Sequence, residues 1–134
     1  MSMPERMEER LLRCIERDRL PQALLLAGQP EAGQEALARL AAARYCLGTD
    51  DPERLVNCPN YRELDGRTVG VAQVRELMAA TGVQSFNGGR RAFLIRNAHA
   101  MNEQSQNALL KTLEEPPADT VLMLTGSEMG MLPT

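Results

Sequence analysis

The sequence predicts an α/β domain of three layers, in which helices cover both faces of a mostly parallel sheet. Short continuous apolar runs, typical of strands buried on both faces, alternate with longer stretches whose apolar residues recur at helical spacing. The chain has 134 residues, the length of one domain. Because parallel strands need crossover connections, this alternation predicts βαβ units.

The first part of the chain predicts a helix, a strand and a second helix. Residues 4–19 place Met7, Leu11 and Ile15 at helical spacing among charged residues. The run 23–27 is apolar throughout and predicts a buried strand, followed by a loop over 28–33. Residues 34–47 are rich in Ala and Leu and predict a helix that Gly48 ends.

The second part of the chain predicts three more strands and two more helices. A polar segment over 49–60 with two prolines is interpreted as a connection. Asn102 is a plausible N-cap for a helix that ends before Pro116. The predicted elements are a weak strand at 61–64, a helix at 71–81, a buried strand at 91–95, a helix from 102 to 115 and a last strand at 120–125.

Composition argues against several classes of protein. The chain carries 15 basic and 18 acidic side chains, a net charge of −3, whereas a free-standing nucleic-acid grip is usually basic. Two Tyr, two Phe and no Trp are too few for a base-stacking platform. The helix at the N-terminus is charged, and no stretch approaches the ~18 consecutive apolar residues of a membrane span.

The three cysteines indicate a reduced, cytoplasmic protein. Cys14, Cys46 and Cys58 are odd in number and form no disulfide framework. A structural zinc site needs four ligands, and His99 is the only histidine. We therefore expect no metal.

The loop after the first apolar strand aligns with the phosphate-binding pattern G-x-x-x-x-G-K-[ST]. Gly28 and Gly33 stand at the two glycine positions, between a predicted strand and a predicted helix. Gln34 replaces the lysine that contacts the phosphates, and Glu35 replaces the hydroxyl that binds Mg²⁺. Glu35 is equally consistent with a first-turn carboxylate that stabilises its own helix.

A second motif of P-loop ATPases also lacks its catalytic residues here. P-loop ATPases carry two acids after a later strand, one for Mg²⁺ and one to activate water. Here Arg96 and Asn97 follow the strand at 91–95, and neither provides a carboxylate. The loss of both motifs predicts that the chain is not an enzyme and binds no cofactor. An active small ATPase with an unusual nucleotide site stays open as the alternative.

The segment 97–117 carries a specific resemblance. It contains N-A-L-L-K-T-L-E-E-P-P and resembles the clamp-loader branch of the AAA+ ATPases, which have the P-loop NTPase fold. By this resemblance the P-loop unit spans about 20–48, the degenerate Walker B strand and the following helix span 91–117, and Thr125 occupies the sensor position. A degenerate P-loop is typical of the delta-prime subunits of bacterial DNA polymerase III.

The resemblance implies a function and partners. It implies a non-hydrolysing scaffold subunit that helps to load the sliding clamp onto primed DNA, in contact with an ATPase subunit and a clamp-opening subunit. It nominates Lys111, Glu114 and Glu115 for a subunit interface. A local basic cluster of Arg90, Arg91 and Arg96 stands out in the sequence, and Arg75, Arg90 and Arg91 are nominated as DNA-facing. A regulatory module outside replication is the other alternative.

The chain also departs from the family pattern. Only Cys46 and Cys58 stand where family members often carry a four-cysteine zinc module. We expect residues 1–134 to form a single AAA+-like domain that stops before the last strand of the family's sheet, with four parallel strands. The resemblance places the lid and the C-terminal collar domains outside this chain.

Overall fold

The computed structural model describes residues 3–17, 23–27, 33–80, 89–114 and 118–126. Helices and strands alternate over these residues as the sequence predicts. In chain order they are α1 (Met3–Glu16), β1 (Ala23–Ala27), α2 (Gln34–Leu47), β2 (Tyr61–Asp65), α3 (Val71–Ala80), β3 (Arg91–Arg96), α4 (Glu103–Glu114) and β4 (Thr120–Gly126).

The described strands form one four-stranded sheet in the order β1-β4-β3-β2. All three pairings are parallel, with Leu25 opposite Leu124, Phe93 opposite Leu122 and Glu63 opposite Leu94. The central strands β3 and β4 are buried on both faces, which explains their continuous apolar sequences. The predicted α/β class with a parallel sheet is confirmed.

Helices cover both faces of this sheet. On one face α1 and α2 pack against the even-numbered residues of β3, among them Ala92 and Leu94. On the other face α3 and α4 pack against Phe93 and Ile95. The three layers follow from the period-2 alternation of side chains along a strand, because a central strand sends apolar groups to both faces.

The main difference from the sequence prediction lies in the segment 49–60. We expected a connection in which no helix was predicted, but Pro52–Asn57 forms a 3₁₀ helix. Asp51 caps it by accepting a hydrogen bond from the backbone N–H of Glu53, and Pro52 occupies the first turn, where a missing N–H costs nothing. The buried side chain of Leu55 anchors this short helix to α2.

The remaining differences concern β1 and element ends. The prediction that the strand at 23–27 is buried on both faces was wrong, because β1 lies at an edge of the described sheet and Leu25 is 53% exposed. The first helix ends at Glu16 instead of residue 19, and the strand predicted at 61–64 continues to Asp65. Asn102 caps α4 as predicted, since its Oδ1 accepts a hydrogen bond from the Ser105 N–H at 2.8 Å. The predicted helix ends at 81 and 115 lie outside the described residues. None of the described helices is long and apolar enough to cross a membrane.

Candidate functional site

Three guanidinium groups and three carboxylates meet at the carboxyl end of the sheet. They come from the first two turns of α2, from β2 and the turn after it, and from the last residue of β3. We call this set the ion-pair network, and its charged members are Glu35, Arg39, Glu63, Asp65, Arg67 and Arg96. Its formal charge is zero, since three positive side chains balance three negative ones.

The register of the sheet places Arg96 at the centre of the network. Arg96 follows Ala92 and Leu94 at a spacing of two, so it lies on the α2 side of β3, opposite Asp65. Its Nη1 lies 3.4 Å from Glu35 Oε1, and its Nε lies 3.1 Å from Glu63 Oε2. Arg96 Nη2 lies 3.9 Å from Asp65 Oδ2. One guanidinium therefore contacts three carboxylates from two elements.

Glu63 accepts hydrogen bonds from two side chains of the network. Arg39 donates two parallel hydrogen bonds to it, each 3.0 Å long, in the bidentate geometry that makes such pairs strong. The Tyr61 hydroxyl donates a third hydrogen bond at 2.6 Å. The Glu63 side chain is 25% exposed, so this pair is partly shielded from water.

Asp65 fastens the ends of β2 and β3 together. It accepts hydrogen bonds from the backbone and guanidinium N–H groups of Arg67 and from Asn97 Nδ2, the last at 3.1 Å. The N–H of Gly66 donates to the carbonyl of Arg96 at 2.6 Å. A Cβ at residue 66 would lie 2.3 Å from the carbonyl oxygen of Asn97, so this close approach requires glycine.

The network favours the charged state of its carboxylates Glu63 and Asp65 and the neutral state of Tyr61. Burial opposes ionisation of Glu63, but hydrogen bonds from Arg39 and Tyr61 and the charges of Arg39 and Arg96 outweigh it, so the pKa of Glu63 is lowered. Hydrogen bonds from Arg67 hold the pKa of Asp65 well below its usual range. Burial and the bond to Glu63 raise the pKa of Tyr61. At neutral pH both carboxylates are ionised and Tyr61 is neutral.

The phosphate-loop residues within the described range lie next to the network. Gly33 precedes α2 in the left-handed conformation, with φ 84°, as a glycine at a tight strand-to-helix turn does. Gln34 begins α2, and Glu35 follows in its first turn, where it contacts both Arg96 and, at 3.9 Å, Arg39. Gly28 lies outside the described residues.

The other predicted chemical positions lie along the same edge of the sheet. Asn97 follows Arg96 with φ 53° and donates to Asp65, so its side chain is held within the network. Thr125 stands near the carboxyl end of β4, opposite Leu26, and is 2% exposed. The structure therefore brings the candidates Glu35, Arg96, Asn97 and Thr125 to one edge.

The basic cluster expected from the sequence is not one cluster in space. Arg91 begins β3 and Arg96 ends it, so these two arginines stand at opposite ends of a six-residue strand. Arg91 donates a hydrogen bond to the Ala80 carbonyl at 2.8 Å, and the Arg90 guanidinium stacks over the Tyr45 ring at 4.9 Å. Neighbours in sequence diverge here because a strand advances about 3.3 Å per residue.

Three of the residues nominated for a subunit interface or for DNA contact lie on the layer of α3 and α4, on the other face of the sheet. Lys111 and Glu114 are exposed near the end of α4, and Arg75 is exposed on α3. The ion pair that their spacing of three permits between Lys111 and Glu114 is not formed in the described part of the chain. Glu115 lies outside the described residues.

Several members of the network were not singled out from the sequence: Arg39, Tyr61, Glu63, Asp65 and Arg67. One signal was present, because Glu35 and Arg39 are four residues apart and share a helix face. The charged residues of β2 weakened its strand signal in the sequence, and two of them, Glu63 and Asp65, are members of the ion-pair network. Among the described residues no group of three or more His, Cys, Asp or Glu side chains is arranged to hold a metal ion.

Comparison with known proteins identifies relatives over most of the chain. A family model described as "DNA polymerase III, delta subunit" matches residues 3–134. The DNA polymerase III subunit delta' of Pseudomonas aeruginosa is 36% identical over 113 residues, which cover 84% of this chain and 33% of that protein. The DNA polymerase III subunit gamma/tau of Mycoplasma genitalium is 26% identical over 136 residues, which cover 92% of this chain and 23% of that protein.

A solved structure agrees on the fold. The crystal structure of a DNA polymerase III gamma subunit-related protein from Thermotoga maritima superposes with a TM-score of 0.70 at 21% identity, covering 90% of this chain and 39% of that one. At this identity the likeness shows the fold alone. The chain spans about a quarter to a third of the length of the two curated relatives.

Proposed function

Because the chain belongs to the DNA polymerase III delta-subunit family, we propose that it acts as a non-hydrolysing, delta-prime-like scaffold subunit of the replicative clamp loader. In that role it helps to load the sliding clamp onto primed DNA. Similarity to both delta' and gamma/tau subunits supports membership of a clamp loader but leaves open which role the chain has. The nucleotide site supplies the argument for the scaffold role.

The observation that carries the proposal is the contact between Glu35 and Arg96. In P-loop ATPases the corresponding positions hold a hydroxyl and a carboxylate, and both bind the same Mg²⁺ ion. Here the two positions hold opposite charges, with Glu35 Oε1 and Arg96 Nη1 3.4 Å apart. The two side chains neutralise one another where the metal would stand, so the protein's own ion pair takes the place of Mg²⁺.

The surrounding charges add to this argument. An entering triphosphate would meet the Glu35 carboxylate, and like charges at about 4–6 Å near a surface repel by a few kcal/mol before screening. Gln34 offers no cation in compensation, and Arg39 and Arg96 are already held by Glu63. Asn97 lacks the carboxylate that would activate water, and its amide is bound to Asp65.

An active ATPase is the second candidate. Gly33 keeps the left-handed conformation before α2, and the gamma/tau relative is 26% identical to the chain over 136 aligned residues. The ion-pair network disfavours this candidate because nucleotide binding would have to break at least one contact of Arg96.

The proposed partners are an ATPase subunit and a clamp-opening subunit, with primed DNA reached through the assembled complex in the cytoplasm. Lys111, Glu114 and Glu115 are proposed for a subunit interface, and Arg90 and Arg91 for contact with DNA. Thr125 is proposed to keep the sensor position without its catalytic use.

Reconstitution tests the proposal. The protein, expressed from its whole reading frame, is mixed with the ATPase and clamp-opening subunits of the same organism, and assembly and clamp loading are measured. We expect a complex whose DNA-stimulated ATPase rate is unchanged by Glu35→Ala in this subunit. As a positive control, substitution of the phosphate-loop lysine in the ATPase subunit should abolish hydrolysis. Failure to assemble, or an ATPase rate that falls severalfold with Glu35→Ala, would contradict the proposal.

A further inference from the structure

The outer surface of the α3–α4 layer contains a groove of about 520 Å³. We propose that this groove docks a short peptide segment of a partner protein in which acidic side chains flank an apolar one. The groove lies on the face of the sheet opposite α2 and therefore away from the ion-pair network. The proposal goes beyond the proposed function and does not depend on it, and it assigns Arg75 to peptide binding instead of to the DNA contact that the family resemblance nominates.

The floor of the groove is apolar. Met78 and Ala108 are half-buried between the two helices, and Ala79 adds a small exposed side chain. The two alanines leave the space into which a larger apolar group fits. Met78 has a flexible, polarisable side chain, of the kind that adapts to different apolar partners. A concave apolar strip between two helices is typical of peptide recognition.

Two positively charged side chains line the sides of the groove. Arg75 on α3 and Lys111 on α4 are both exposed and line the groove. Over the part of the chain that the structure describes, neither makes an ion pair with a carboxylate, and the lining contains no acidic side chain. The neutral amides of Gln104 and Asn107 complete the lining as hydrogen-bonding groups. Arg75 and Lys111 are therefore the only charged side chains in the described lining, which favours negatively charged groups placed directly over them.

The charges around the groove favour a peptide over a nucleic-acid backbone. Glu76 is adjacent to Arg75 in sequence, Glu103 precedes Gln104, and Glu114 lies one turn beyond Lys111, and all three are exposed. Glu76 is only loosely paired, with Arg62 at 3.9 Å. A phosphate backbone carries a negative charge at every nucleotide and would meet these carboxylates. A peptide can place one acidic group at each cation and its apolar side chain on Met78.

The experiment is a selection followed by a binding measurement. A displayed library of random peptides of about twelve residues is selected on the immobilised protein, and enriched peptides are synthesised with a fluorescent label. We expect the enriched sequences to contain an apolar residue flanked by Asp or Glu. Fluorescence polarisation should show that the double variant Arg75→Ala, Lys111→Ala weakens binding at least about tenfold.

Matched controls separate the groove from general charge effects. Arg54 is an exposed arginine on the 3₁₀ helix Pro52–Asn57, outside the groove, so Arg54→Ala should change the affinity less than about twofold. Arg75→Lys should retain most of the binding, and circular dichroism checks that each variant is folded. The proposal is overturned if no peptide is enriched, if the enriched peptides bind the double variant equally well, or if labelled duplex DNA binds through Arg75 and Lys111 while peptides do not.

Discussion

Replacing Glu63 by glutamine should destabilise the protein by about 2 kcal/mol at pH 7. Glutamine keeps the shape of the side chain but removes its charge, and it places an N–H₂ group where a carboxylate oxygen now accepts a hydrogen bond. Three hydrogen bonds end on Glu63, two from Arg39 and one from Tyr61, and Arg96 Nε lies 3.1 Å away. In the variant, the guanidinium groups of Arg39 and Arg96 therefore both lose a carboxylate partner.

The magnitude follows from the burial and the number of these contacts. A hydrogen bond to a charged group contributes about 1.5–3 kcal/mol, and a neutral one about 1 kcal/mol. Glutamine retains one acceptor oxygen, so the loss is the equivalent of one to two charged bonds. The 25% exposure of the side chain reduces it through solvent screening. For a chain of 134 residues, 2 kcal/mol corresponds to a fall in Tm of about 7 °C.

Urea unfolding with linear extrapolation provides the assay. Glu76→Gln is the matched control, since Glu76 is 74% exposed and lies 3.9 Å from Arg62, so its loss should cost less than about 0.5 kcal/mol. An effect of Glu63→Gln as small as that of Glu76→Gln would contradict this prediction, because it would show that the ion-pair network contributes little to the free energy of unfolding.

Three further predictions concern other parts of the molecule. Gly66→Ala should destabilise the protein by about 2 kcal/mol or more in urea unfolding, because the added Cβ would lie 2.3 Å from the Asn97 carbonyl oxygen. Gly70→Ala is the control and should cost less than about 1 kcal/mol, since its added Cβ would lie 3.7 Å from Gln73 Oε1. The Tm should be nearly constant from about pH 7 to 5 and fall as the pH drops below the ordinary pKa values of the two carboxyl types, 4.5 for Glu and 3.8 for Asp. The reason is that the pKa values of Glu63 and Asp65 are lowered in the folded state, so protonation removes their contribution to stability. A Tm that rises in acid would contradict this sign. Burial raises the pKa of the Cys46 thiol to about 12, so little reactive thiolate forms at pH 8 in the folded protein. In a Cys14→Ser, Cys58→Ser variant, Cys46 should therefore react with a disulfide reagent at pH 8 far more slowly in the native state than in urea. Equal reaction rates in the two states would contradict this prediction.

The fold was predictable because its central strands carry a strong local signal. The runs at 91–95 and 120–125 are largely apolar without alternation, as expected for strands covered on both faces. The run at 23–27 carries the same signal, but β1 lies at an edge of the described sheet, where Leu25 is 53% exposed. The strand at 61–64 gave a weaker signal because it lies at the sheet edge and directs Tyr61, Glu63 and Asp65 into polar contacts. The 3₁₀ helix Pro52–Asn57 was missed, since its anchor is a single buried leucine.

The sequence identified individual residues of the candidate site but not the contacts between them. The P-loop pattern identified Glu35, and the end of the strand at 91–95 identified Arg96, as residues that cannot perform ATPase chemistry. Nothing in the pattern shows that these two side chains, 61 residues apart, contact one another. Their contact depends on the register of β3 with β2 and on the position of α2 across the sheet, which are tertiary properties. The network members on β2 were missed for the same reason.

The most direct test of the central claim is a calorimetric titration of Mg-ATP into the protein at pH 7.5. Because the Glu35–Arg96 ion pair stands where we propose Mg²⁺ would otherwise bind, we predict no binding heat at nucleotide concentrations up to about 1 mM, which limits any binding free energy to weaker than about −4 kcal/mol. An ATPase subunit of the same clamp loader, titrated under the same conditions, serves as the positive control. A saturable, Mg²⁺-dependent isotherm with a Kd in the micromolar range would contradict the claim that the site is closed by the protein's own charges.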